Sequence, residues 1–397
     1  MSRLLALFLL GACVSSPAFT QSQKSASSGP DIIVTGTSLK EAKESLAACL
    51  MQHCPPDKDI DATLRVAETQ FVAGDYEGAR ATMQKSLGRN RRYAKTYPVP
   101  VSDLLRANSR IAAHLGETED YRIGATSVLR TLRAGLPKND PRILGAQIEA
   151  ADSFAGTGQI DTAVSMYREV VRQAHATNQP KTEGFARLRI ALLYSAISQR
   201  QGVAYAEPAN RAINDLINER NPEMRPFVQA AKLLQLTMAV KRGVPGAMDK
   251  LVMQYREAGA GTTTPLLLYA PTIELRPLSG VEEAGGDPRN QVSTYSFEDQ
   301  WIDVGFVVGA DGKVTEVEVL RQSSKTTGDW SKPVLNSISG RRYAPLAKQT
   351  PDVLRVERYT LTSRWVSQTG SRLRTRSPIP HIEVLDLSRD PDPKTIS

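Results

Sequence analysis

The apolar residues of this chain change period near residue 262, and that switch decides what each part can fold into. Before it, Leu104, Ile111 and Leu115 share one helical face, as do Phe185, Leu188 and Leu192, and Phe227, Ala231, Leu234 and Met238. The breaks between such stripes carry Pro, Gly, Asn and Asp, as in Pro98-Val-Pro100, Asn178-Gln-Pro180 and Gly243-Val-Pro245-Gly246. After the switch, Ile302, Val304, Phe306 and Val308 alternate with Asp303, Gly305 and Val307, the mark of a half-buried strand. The expected class is therefore α+β. An all-α array of about ten helices over 40–258 precedes a small antiparallel sheet with one helix over 262–366, and Gly259-Ala-Gly261-Thr-Thr-Thr264 reads as the linker.

Two helical segments share a spacing. Gly74-Asp-Tyr76-x-x-Ala79-x-x-x-Met83 aligns with Gly158-Gln-Ile160-x-x-Ala163-x-x-x-Tyr167. In each, the Gly ends one helix, Tyr76 or Ile160 opens the next, and Ala79 or Ala163 lets the two helices approach closely. Phe71 and Phe154, just ahead of the glycines, suit the first helix of each hairpin. The pattern resembles the second half of tetratricopeptide repeats, whose helix hairpins stack into superhelices that present surfaces to protein partners. Only two units are readable, 84 residues apart, and the stretch between them does not keep the 34-residue period of that family.

The β-region has its own order. A strand over Ile302–Val308 runs into the Asp311-Gly312 turn, which is hairpin chemistry, and Val314–Leu320 returns. Ser323-Ser324 follows, then a helix with Trp330, Val334 and Ile338 on one side, then Arg342-Tyr343-Ala344-Pro345, then a strand over Leu354–Val366. This composite is similar to the C-terminal domain of TonB, carried by Phe306, Asp311, Gly312, Ser323, Ser324, Tyr343 and Pro345. The resemblance implies strand addition by outer-membrane receptor segments at an exposed sheet edge. The expected binding edge is the last strand, with Tyr359, Leu361 and Trp365 on one face and Arg358, Thr360 and Arg364 on the other. The helical array stands where an energy transducer has a spacer, and the hydrophobic start is too short to span a bilayer, so passive binding is expected rather than energy transduction. Asp31-Ile32-Ile33-Val34-Thr35-Gly36 resembles the short box by which some receptors contact TonB, and it reads equally as a β-prone piece of tail. Residues 367–397 are expected to form an extended tail whose Ile382–Leu387 covers a sheet edge, with Arg372, Arg374 and Arg376 as a solvated basic patch.

The N-terminus has the layout of a secretory signal over 1–18, Arg3 followed by the apolar run from Leu4 to Ala12. Two exits are written there. Leu10-Gly11-Ala12-Cys13 resembles the lipobox of bacterial lipoproteins, which makes Cys13 a lipid anchor, and Ser16-Pro17-Ala18 offers the small residues of ordinary cleavage. Residues 19–39, rich in Ser and Gln at the start, have the composition of a flexible tether. With Cys13 lipidated or removed, Cys49 and Cys54 remain, and an oxidising compartment favours a disulfide between them. The rival is a metal site with His53, which lacks a fourth ligand nearby.

Composition bears on chemistry. The 397 residues, 41% hydrophobic and 23% charged, are ordinary globular material, and a net charge of +8 does not indicate a nucleic-acid binder. Four His and three Cys leave little for metal or thiol catalysis, and no nucleophile elbow, phosphate loop or zinc-protease helix is present. The expectation is a non-enzymatic protein of the Gram-negative envelope, periplasmic or membrane-anchored, without cofactor, metal or nucleic acid. Its partners are other envelope proteins, outer-membrane receptors among them. A regulator of TonB-dependent transport and an envelope enzyme with an unrecognised site are the alternatives.

Overall fold

The computed structural model describes residues 38–201, 203–257, 264–276, 295–347, 350–367 and 374–388. Cys13, the signal, nearly all of the tether and Asp31–Gly36 lie outside them. Helix α1 (Leu39–Met51) starts at Ser38, whose hydroxyl accepts from the Glu41 amide while the Glu41 carboxylate accepts from the Ser38 amide. Cys49 and Cys54 are joined, their Cα atoms 5.2 Å apart, across the turn into α2 (Pro56–Ala73). Proline suits the first position of α2 because the missing N–H has no partner there anyway.

From α2 onward the array is a row of antiparallel hairpins. They are α2 with α3 (Tyr76–Asn90), α4 (Pro98–His114) with α5 (Thr118–Gly135), α6 (Pro141–Gly156) with α7 (Ile160–Ala176), α8 (Pro180–Gln201) with α9 (Ala206–Ile217), and α10 (Arg225–Lys241) with α11 (Ala247–Glu257). Eleven α-helices thus precede the sheet among the described residues, close to the ten expected. The hairpin turns at Gly74, Gly116, Gly158 and Gly243 all hold the glycine at positive φ, between +72° and +90°. Gly74 and Gly116 stand 42 residues apart, as do Gly116 and Gly158, so the 84-residue spacing of the two legible units is two periods with a third hairpin between. That middle copy escaped the sequence pattern because Thr118 and Tyr121 stand where the others have Tyr76 or Ile160 and Ala79 or Ala163. Tyr76, Ala79 and Ala163 are buried and Ile160 is half-buried.

Ionic groups also sit inside the array. Asp59 accepts from Arg89 at 2.7 and 2.9 Å, from Asn90 at 2.8 Å and from Thr63 at 3.1 Å, tying α2 to α3. Burial works against this carboxylate, yet the hydrogen bonds from Arg89 and Asn90 hold it below its ordinary range. Two hairpins further, Asp152 of α6 accepts from Tyr167 of α7 and pairs with Arg189 of α8 at 3.3 Å.

The second region holds β1 (Leu267–Tyr269), β2 (Trp301–Val308), β3 (Val314–Gln322), α12 (Ser331–Ser339), β4 (Arg342–Tyr343), β5 (Val353–Ser367) and β6 (Arg374–Asp386). β1 pairs with β4, and the main sheet has the antiparallel order β3-β2-β5-β6. α12 covers one face, and Phe306, Val334, Ile338, Tyr359 and Leu361 fill the core between them. Each such fully buried large apolar side chain contributes about 1.5–3 kcal/mol. A buried Arg341 completes this core, donating to Glu357 at 2.9 Å, Tyr359 at 2.7 Å and Tyr343 at 3.1 Å.

Two expectations are corrected here. The strand over Leu354–Val366 is not an edge: β5 pairs with β2 on one side and β6 on the other, and Tyr359 and Leu361 are buried core residues. Nor is 367–397 simply a tail, since 374–386 forms β6 along ten partner positions of β5. Ile382–Leu387 does cover a sheet edge, as its composition suggested, through β6 and the Leu387 amide bound to the Val356 carbonyl at 2.8 Å.

Candidate functional site

Residues of β5 alternate between the α12 core and the opposite face of the sheet, and that second face meets the helical array. Arg358 donates to both oxygens of Asp303 at 2.6 and 3.0 Å, lies 4.0 Å from the centre of the Trp301 ring, and donates to the Val72 carbonyl in the last turn of α2 at 2.8 Å. Tyr76, at the start of α3, shares a hydrogen bond with Thr360 at 2.9 Å. Further along, Arg364 donates to the carbonyl of Gly156, the last residue of α6. Arg376 of β6 donates to the Leu115 carbonyl that closes α4 at 2.8 Å and to the Ser363 carbonyl at 2.6 Å, stacked 4.2 Å from the Trp365 ring.

The C-terminal ends of α2, α4 and α6 each therefore receive one guanidinium from the sheet. A cation is favoured there because the unsatisfied carbonyls carry the negative end of the helix dipole. Burial pulls Arg364 down to about 10, which leaves it charged at neutral pH and dependent on the Gly156 carbonyl. Between these contacts the Trp365 amide bonds the Gly116 carbonyl at 3.3 Å, at the bulge where β5 and β6 slip register between Ser363 and Trp365. An added Cβ on Gly116 would sit 2.1 Å from the Ser363 carbonyl oxygen, so only glycine permits this approach.

His114, at the end of α4, lies in the same junction. Its ring packs 4.4 Å from Tyr76 and 4.8 Å from Phe71, and Nε2 is buried without a hydrogen-bond partner. Burial pulls its pKa down to about 4, opposed by Glu383 and reinforced by His381 and Arg358. Among the described residues no three His, Cys, Asp or Glu side chains converge to hold a metal ion, and no helix is long and apolar enough to cross a membrane.

The motif residues of the β-region occupy structural positions. Phe306 is fully buried, 5.4 Å from the Arg341 guanidinium and 6.3 Å from Tyr343. Asp311 caps the hairpin by accepting from the Lys313 amide at 3.0 Å, and Gly312 lies under the Tyr343 backbone, where a Cβ would meet the Tyr343 oxygen at 2.2 Å. The Ser323 hydroxyl accepts from the Lys325 amide at 3.1 Å, while Ser324 is exposed and Pro345 half-buried. Trp365 stacks on Arg376 instead of offering an open edge, and Arg376 is no solvated patch residue; Arg374 is exposed and Arg372 lies outside the described residues.

Both true edges of the sheet are protected. β3 shifts register twice against β2, holds Glu316 at φ +54° and carries Glu318 and Arg321. β6 carries Pro378 and Pro380, which cannot donate to a further strand. The array presents a different kind of surface. Its first helices lie side by side, Arg106 of α4 reaching Glu149 of α6 at 2.8 Å, with Arg65, Glu68, Arg110 and Phe185 exposed.

The junction was not legible in the sequence, where Arg358 and Arg364 read only as the face opposite Tyr359, Leu361 and Trp365. The available signal was Asp303, a carboxylate amid the apolar alternation of β2, which needs a buried cation opposite it. No protein-family model matches the chain, and no curated protein does. Among solved structures it is similar to the nearly identical TPR-like repeats of a kinesin light chain candidate from Podosopora anserina, with 16% identity over 52% of this chain and 97% of that one and a TM-score of 0.38. It is also similar to BtubC (BKLC) from P. vanneervenii, with 13% identity over 62% of this chain and 97% of that one and a TM-score of 0.42. The array is a repeat of helical hairpins, and its hairpin order and 42-residue spacing stand on the helices themselves.

Proposed function

We propose that this chain is an exported, non-enzymatic scaffold of the Gram-negative envelope that binds protein partners along its TPR-like array. The observation that carries the reading is the row of hairpins braced at one rim by the sheet, with the exposed faces of its first helices left over. Stacked repeats of this kind offer extended surfaces to other proteins. The mixture of Arg65, Glu68, Arg110 and Phe185 suits partner segments that carry both charges and an apolar anchor. A photoreactive residue at Arg65 or Arg110 of the protein in cells should capture defined protein partners. Capture only from sheet positions such as Val319, with none from the array, would overturn the reading.

Export and anchoring are supported by Arg3 and the Leu4–Ala12 run, by Cys13, and by the Cys49–Cys54 bridge that suits an oxidising compartment. Labelled fatty acid should enter the wild type and not Cys13→Ala; absence of label from both removes the anchor. The likeness of the β-region to TonB C-terminal domains is supported by the order strand, hairpin, strand, helix, strand, with Phe306 and Tyr343 meeting in the core. Because β6 already fills the place beside β5, a receptor segment has to displace β6 to pair there. That cost sets TonB-dependent transport second to partner binding by the array.

A further inference from the structure

The sheet braces one rim of the array, at the helix ends beside Gly74, Gly116 and Gly158. The turns 52–55, 91–97 and 136–140 lie at the opposite ends of helices 15 to 18 residues long, about 22–27 Å away. The two rims differ in charge. Glu77, Glu117, Glu119 and Asp120 stand at the starts of α3 and α5, beside the sheet. At the far rim stand Arg91, Arg92, Lys95, Arg130, Arg133 and Lys138, all six exposed.

The carboxylates of the far rim are already taken. Asp57 pairs with Lys58 at 4.0 Å, Asp59 with Arg89 at 2.7 Å and Asp140 with Arg142 at 2.6 Å. Arg133 donates to the Gln147 amide oxygen at 2.6 Å, and Arg92 lies over the Tyr93 ring at 4.8 Å. Helix dipoles account for Arg89 and Arg133, which sit in the last turns of α3 and α5. They do not account for Lys95 and Lys138, each two residues before the N-cap of the next helix, where the dipole disfavours a cation. Clustered cations repel one another, and an anionic surface laid against them relieves that repulsion.

Apolar side chains project from the same rim. Met51 and Leu50, at the end of α1, are 76% and 37% exposed. They adjoin the first turn of α2, which Arg89 and Asn90 bind through Asp59. Beside them in the row, Thr126, Leu129, Arg130, Arg133 and Ala134 of α5 line an open cavity of about 420 Å³. Exposed apolar tips among cations match the boundary between headgroups and acyl chains of an anionic bilayer. The spread over three separate turns fits an extended surface better than a single acidic peptide.

We propose that this rim rests on an anionic phospholipid surface, with Leu50 and Met51 at the acyl boundary and the six cations among the phosphates. The sheet then stands on the side away from the lipid, and the exposed faces of the first helices stay open. The inference is independent of what those faces bind and of any lipid on Cys13.

The test places a photoreactive amino acid at Met51, or in a second variant at exposed Asn139, in the full chain carrying Cys13→Ala. Exposed Glu77, at the sheet rim, is the control position. Each protein is illuminated with vesicles of phosphatidylglycerol and phosphatidylcholine, or of phosphatidylcholine alone. The apolar start of the chain attaches to both alike, so the difference between positions and between lipids reads the rim. Lipid adducts at Met51 and Asn139 should exceed those at Glu77 by about tenfold, and only where phosphatidylglycerol is present. Joint Arg91→Gln, Arg92→Gln and Lys95→Gln substitution should lower the Met51 yield by about tenfold or more, as should 0.5 M salt. Equal yields at Met51 and Glu77, or equal yields with the two lipids, overturn the proposal. Adducts to added polyglutamate in place of lipid overturn it too, and assign the rim to an acidic protein.

Discussion

Arg358 donates to the carbonyl of Val72, 286 residues away in sequence, while both oxygens of Asp303 accept from the same guanidinium. Asp303 also pairs with Arg321 at 2.6 Å and is wholly buried, so one carboxylate holds two strands and, through Arg358, a helix end. Removing one partner of a buried pair leaves an uncompensated charge, at a cost of about 3–5 kcal/mol. Arg358→Ala should therefore lower stability by that order. It should also separate loss of helical circular dichroism from the change of tryptophan fluorescence, which the junction is expected to hold together in the wild type. A single coincident transition at wild-type midpoint would show that the junction does not couple the regions.

Two glycines should respond with opposite signs. Gly116→Ala places a methyl 2.1 Å from the Ser363 carbonyl at φ +75° and should destabilise by about 2 kcal/mol or more. Gly145, inside α6 with open space around it, should gain up to about 1 kcal/mol on substitution by Ala through helix propensity alone. Urea midpoints of the two variants measure this, and midpoints that move together would contradict the close approach at Gly116.

Acid should loosen the junction before it unfolds the array. His114 titrates at about 4 when folded and near 6.5 when not, so the unfolded chain takes up its proton first as pH falls. The stability contributed by neutral His114 is intact above pH 6.5 and declines between about 6.5 and 4, by about 3 kcal/mol in all. Glu383, His381 and Arg358 face this ring and modulate the curve. His114→Phe should flatten the melting temperature over that interval; a slope equal to wild type would place the acid sensitivity elsewhere.

Reduction should cost the first helix its anchorage. Closing the short loop between Cys49 and Cys54 is worth about 2 kcal/mol by chain entropy. A reductant should lower the denaturant midpoint of the wild type and leave the Cys49→Ser, Cys54→Ser double variant unmoved. Equal response of both proteins would argue against the bridge.

Local chemistry was the readable part of this fold. The Asp311-Gly312 turn, the paired cysteines and a strand assigned to Leu354–Val366 within a residue of β5 at each end all follow from neighbours in sequence. What escaped depended on distant partners. The last segment was read as an extended tail, and its Pro378 and Pro380 are tolerated in a strand because β6 is an edge whose outer side needs no donors. That one strand turned the expected edge into the interior of the sheet. The middle hairpin was hidden because Thr118 and Tyr121 broke the pattern while Gly116 kept the 42-residue step.

An array of hairpins is mechanically a chain of neighbours, each unit sensing only the next. β5 crosses three of them, reaching α2 through Arg358, the Gly116 turn through Trp365, and α6 through Arg364. The first and third units are thereby linked without passing through the second, as vertebrae are by a splint. The last hairpin is held to the β-region as well, Leu251 and Tyr255 of α11 packing with Leu268 and Ala344. A partner that engages the front of the array therefore meets hairpins already tied to one another by the sheet.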